Sequence, residues 1–202
     1  MVQGRDKVSP FADTLVIQPL SIDDLSAVRY VHQSAFRLLA GASQTEDEVR
    51  SFIEFTSMPA YADSILDNAI DGAWLDGQLI ATAGWIPSDD SGDTARIKAV
   101  FVNPLFARLG VGTVMVRRAE AIARKAGFRE FRLRANLSAV PLFARLGYEV
   151  ASHGVRPMCN GSAVRVTFMR RCDAAAQPEA QPHQSRAGDA VVTPAASVYR
   201  PH

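Results

Sequence analysis

Cysteine is scarce in this chain: Cys159 and Cys172 are the only two in 202 residues. Two thiols so placed cannot build a disulfide framework or a zinc site, which points to a reducing cytoplasm. Excess charge is missing as well. Twenty-two basic and 21 acidic side chains leave a formal net charge of +1, so no basic field recruits nucleic acid or a membrane surface. No apolar run approaches the roughly 20 residues of a membrane span, and residues 1–13 lack the apolar core of a secretory signal. The sequence contains no internal repeat. Beyond Cys172 it turns rich in Ala, Pro and Gln, with little to bury. We therefore expect a polar leader over 1–13, one folded domain over 14–171 and an unstructured tail over 172–202.

The domain has clear periodicities. Residues 15–17 form a first strand. Ser21 caps a helix that runs to about Leu39 and stops at Gly41. Thr45, with Asp47 and Glu48, opens a second helix to Phe55. Residues 73–75 and 78–83 flank Asp76-Gly77, a hairpin turn. Residues 95–102 alternate, with Arg96, Lys98, Val100 and Val102 on one face and Ile97, Ala99 and Phe101 on the other. A helix follows over 111–126 and ends at Gly127. Then come a strand over 131–135, a short helix capped by Ser138 and ended by Gly147, and strands over 148–152 and 163–169.

The most informative stretch runs from Val102 through Pro104, Arg108, Leu109, Gly110, Val111 and Gly112 to Thr113. It reads as a strand entering a glycine turn that opens a helix. Glycines let a ligand approach the backbone, because no Cβ stands in the way. The unpaired N–H groups at the helix start favour a phosphate. A P-loop would need a Lys-Ser or Lys-Thr pair after the glycines, and none is present. A dinucleotide fingerprint would need a third small residue where Met115 stands, and an acidic residue ending the next strand. Both readings fail. The segment instead resembles the pyrophosphate loop of the GNAT superfamily of acetyl-CoA-dependent N-acetyltransferases. Asn136, Ala139, Leu142, Phe143, Gly147 and Tyr148 resemble the same family's second cofactor motif, one helix and one strand later.

That resemblance implies an α/β (α+β) GNAT fold, a mixed, mostly antiparallel six- to seven-stranded sheet with helices on both faces, splayed between the fourth and fifth strands. It implies an N-acetyltransferase that moves an acetyl group from acetyl-CoA, as co-substrate and without metal, to an amine by direct attack. Val100, Phe101 and Val102 would hold pantetheine, and the Val100 backbone would face the thioester oxygen. Arg108, Leu109, Gly110, Val111, Gly112 and Thr113 would hold the pyrophosphate, with Asn136 beside them. Phe143 occupies the usual place of a tyrosine acid and cannot donate a proton, so the thiolate leaves unassisted or through water. Tyr148 reads as a packing residue. Dimers are common among members, so a homodimer is admitted. The general base stays open among Tyr61, Asp63, Asp71, Asp89, Asp90, Asp93 and His32. Arg96 and Lys98 read first as exposed strand charges, or as attractors of an anionic acceptor. A non-catalytic acyl-CoA sensor is the alternative function.

Overall fold

The computed structural model describes residues 14–41, 43–66, 70–88, 92–158 and 161–173. The leader, most of the tail, Asp89, Asp90 and Cys159 lie outside these residues.

Asp76-Gly77 does turn the chain, with positive φ at both residues (49° and 78°). The strands it joins, β2 (Ile70–Leu75) and β3 (Gln78–Pro87), are longer than the sequence suggests. With β1 (Val16–Pro19), β4 (Thr94–Val102), β5 (Glu130–Ala135), β6 (Glu149–Pro157) and β7 (Ala163–Cys172) they make one sheet in the order β1-β2-β3-β4-β5-β7-β6. Every pairing is antiparallel except β4 with β5.

Among the described residues five α-helices cover the sheet: α1 (Leu25–Ala35), α2 (Glu46–Thr56), α3 (Pro59–Leu66), α4 (Val111–Lys125) and α5 (Val140–Arg145). On one face α4 and α5 bury Val111, Met115, Val116, Ala119 and Phe143 against Ile80, Ile97, Phe131 and Leu133. On the other, α1, α2 and α3 bury Val28, Phe52, Phe55, Tyr61 and Ile65 against Ile70, Leu79 and Val164. Apolar burial on both faces is the main stabilising term.

Local chemistry explains most boundaries. Thr45 accepts from the Glu48 N–H while Glu48 accepts from the Thr45 N–H, a reciprocal capping box. Gly127 and Gly147 end their helices at φ of 102° and 89°. Ser21 holds the N-cap of the 3-10 turn that leads into the first helix, and Asp24 reaches back to accept from its N–H and hydroxyl at 2.8 Å. Two expectations change. That helix closes in a π-turn over Phe36–Ala40, and Gly41 stays right-handed at φ −55°. Ser138 caps nothing, because Asn136 occupies the N-cap of a 3-10 turn that leads into α5. Helix α3 is an addition to the expected elements, and its marker is Pro59 in its first turn.

Candidate active site

The parallel ladder between β4 and β5 is short. It joins Thr94, Ala95 and Arg96 to Glu130, Phe131 and Arg132, then stops. Beyond it the two strands diverge, as expected for a splayed sheet. A cleft of about 1100 Å³ fills the gap, lined by residues 96–102 of β4, residues 133–135 of β5 and Asn136.

A bulge shapes the β4 wall. Thr82 pairs with Phe101 and Gly84 with Lys98, so β4 carries one residue more than β3 across this stretch. Ala99 takes up the excess at φ 53°, a conformation costly for a residue with a Cβ. The bulge also breaks the expected alternation. Arg96 and Lys98 do not share a face with Val100 and Val102. Ile97, Val100 and Val102 pack with the α4 layer, whereas Ala99 and Phe101 pack with the α1–α3 layer.

A buried hydrogen-bond chain holds the bulge. The Thr82 hydroxyl donates to the Ala99 carbonyl at 2.6 Å, so its oxygen accepts from His32 Nε2 at 2.8 Å. His32 Nδ1 is then left to accept from the Tyr61 hydroxyl at 2.9 Å. Phe101 stacks on the imidazole at 3.9 Å between centroids. His32 is 1% exposed, and burial lowers its pKa to about 3. It is a neutral linker at ordinary pH, and burial likewise pushes the Tyr61 phenol up. The Ala99–Val100 peptide is trans, as are all others described. With its carbonyl drawn back towards β3, its N–H turns the opposite way, towards the splay.

The glycine turn closes one end of the cleft. Gly110 is left-handed at φ 84° and forms the N-cap of α4. Arg108 is left-handed too, at φ 67°. Gly112 is helical, and a Cβ on it would stand 3.4 Å from both Leu142 and Val102. Gly110, Gly112 and Thr113, at the opening of α4, line the cleft, and a side chain on Gly112 would meet Leu142 and Val102 there. Of the sequence-predicted residues, Val100, Phe101, Val102, Arg108, Gly110, Gly112, Thr113, Asn136 and Phe143 line the cleft. Leu109 and Val111 do not; Val111, the first residue of α4, is wholly buried.

Phe143 is 4% exposed, edge-on to Tyr148. The Tyr148 hydroxyl donates to Glu120 Oε1 at 2.8 Å. Burial and that carboxylate raise the phenol's pKa, so it packs the core and is no substitute acid. Among the described residues no aspartate or glutamate lines the cleft. Asp71 is tied to Arg118 at 2.5 Å, and Asp63 and Asp93 are exposed away from it. Lys98 departs from its expected exposed setting: it is half-buried, and its ammonium donates to the Ser64 carbonyl of α3 at 3.0 Å.

A shallower hollow of about 520 Å³ beside α2, bordered by Arg37 and Gln44, touches none of these groups. No described helix is long and apolar enough to cross a membrane.

The fold is shared with solved acetyltransferases. A GCN5-related N-acetyltransferase from Rhodopseudomonas palustris superposes with a TM-score of 0.69 at 19% identity, over 79% of this chain and 96% of that one. The PaiA N-acetyltransferase of Thermoplasma acidophilum, solved with coenzyme A, gives 0.64 at 21%, over 79% and 99%. A putative acetyltransferase, yncA of Salmonella typhimurium, solved with acetyl-CoA, gives 0.54 at 20%, over 82% and 98%. No curated protein matches the chain. Residues 31–148 match the model of the acetyltransferase (GNAT) family. Glycine turn, interrupted ladder and family match agree: this chain belongs to the GNAT acetyltransferase family.

Proposed function

We propose that this protein is an N-acetyltransferase that passes the acetyl group of acetyl-CoA directly to an amine held in the same cleft. The observation that carries this is the interrupted ladder, which leaves an unpaired stretch of β4 beside a glycine-opened helix. The N–H groups of residues 110–113 would hold the diphosphate, with Arg108 nearby. Pantetheine would run along Val100 to Val102 as a substitute strand, and Asn136 would border it. The Val100 N–H, aimed by the Thr82–Ala99 bond, would donate to the thioester oxygen as negative charge gathers there.

The chemistry needs no covalent enzyme intermediate. The neutral amine attacks the carbonyl carbon, the C–S bond breaks, and CoA departs as thiolate while the new amide sheds one proton. Phe143 offers no proton to the sulfur, and no described carboxylate faces the cleft to take one from the amine. With neither of those groups available, water would serve both transfers.

The same two absences support a second reading, a non-catalytic sensor of CoA thioesters. Thiol release from acetyl-CoA across a panel of amines, paired with calorimetric titration of CoA, separates them. Acceptor-dependent release bears out the enzyme. Tight CoA binding without release on any amine selects the sensor, and absence of CoA binding overturns both.

A further inference from the structure

The end of the cleft remote from the glycine turn has a chemistry of its own. Along β4 the order is Arg96, Lys98, Val100, Val102, at about 3.3 Å of strand per residue. The glycine turn lies past Val102, so Arg96 and Lys98 stand on the far side of Val100 from the diphosphate cradle. They sit where an acceptor must approach. Arg134 of β5 and Arg156 of β6 line the same chamber.

These cations press on one another. Burial first, then Arg96, then Arg156 disfavour the charge on Lys98 and bring its pKa down to about 8. Arg134 is lowered by burial and by Arg96. Among the described residues no acidic group acts on either, and none lines the chamber. Gathering like charges in a partly desolvated pocket is unfavourable unless a ligand supplies the opposite charge. The remaining wall is apolar: Phe36, Leu39, Phe52, Phe55, Ile65 and Met158. The Arg156 guanidinium lies 5.2 Å over the Phe55 ring, an aromatic face that suits a weakly hydrated cation.

We propose that the acceptor is an amine carrying an anionic group, carboxylate or phosphate, on an apolar body of aromatic size, with Lys98, Arg96 and Arg134 receiving the anion and the α1–α3 wall the apolar part. An amino acid with a large apolar side chain has this form, as does its phosphonate counterpart. This rests on the acetyl-transfer reading for the amine, but not for the anion. A polyamine or a cationic peptide amine is excluded by the same charges.

Binding of acetylated product analogues tests it without turnover. Protein saturated with CoA is titrated calorimetrically with N-acetylphenylalanine, its carboxamide and its phosphonate counterpart. The acid or the phosphonate binds roughly ten- to hundredfold tighter than the carboxamide, the range expected of charge-assisted hydrogen bonds. Which of the two is tighter identifies the anion. Lys98→Met brings the anionic ligand's affinity down towards that of the carboxamide. Arg134→Gln, at an exposed position, does so in part and serves if the lysine variant fails to fold. Equal binding of acid, phosphonate and carboxamide, or binding by none, overturns the proposal. If CoA itself does not bind, the acetyl-transfer reading falls, and the same ligands titrated against the protein alone still decide the anion site.

Discussion

Acidification tests whether the bulge is held by a neutral histidine. His32 has an ordinary pKa near 6.5 when unfolded and about 3 when folded, because burial excludes its charged form. A depressed histidine pKa means that the unfolded chain binds the extra proton, so stability falls as pH drops below 6.5 and continues to fall until about 3. Between pH 7.5 and 5.0 the unfolded histidine becomes almost fully protonated while the folded one does not. The loss works out at about 2 kcal/mol. At a urea dependence of about 2 kcal/mol per molar, the unfolding midpoint moves down by roughly 1 M. The Glu48 carboxyl, held at about 2 chiefly by Arg165, loses its contribution only below this interval, as pH falls through about 4.5 towards 2. Urea titrations at the two pH values read the difference, and His32→Gln, which cannot titrate, removes most of it. A parent midpoint that ignores pH, or a variant with the parent's full slope, refutes the neutral linker.

Three further outcomes are expected. Gly112→Asp sets a carboxylate beside Leu142 and Val102 at the helix start proposed to hold the diphosphate, and should weaken CoA binding roughly a hundredfold, near 2.7 kcal/mol; calorimetry on a variant with a normal melting curve reads it. Thr82→Val strands the His32 Nε2–H and the Ala99 carbonyl. It should cost about 1–3 kcal/mol of stability and lower kcat more than CoA affinity, as single-turnover kinetics and titration would reveal. Glu120→Ala leaves the Tyr148 hydroxyl and Arg171 without their buried carboxylate. It should cost about 3–5 kcal/mol, and scanning calorimetry should register a fall of roughly 10–15 °C.

The fold was legible where a residue's own backbone preference decides the local geometry. Asp76-Gly77, Gly127, Gly147 and the Thr45–Glu48 box speak within a few residues of themselves. So did the Gly110–Gly112 turn, whose left-handed start needs only the missing Cβ. The bulge at Ala99 was not legible, because nothing in an alanine announces a positive φ; the pairing with β3 imposes it. That omission carried into the faces of β4. His32, Tyr61 and Thr82 are 29 and 50 positions apart in their two bonds, so no local spacing could unite them. Lys98 looked like a surface charge because α3, which covers it, was itself unread.

Only three residue pairs rivet β4 to β5 as backbone ladder; beyond them the sheet's two plates are held together by packed side chains alone. A guest that stitches both lips would complete the missing seam and brace one plate against the other. Its arrival would then register as stiffness across the entire body, far from the atoms it touches.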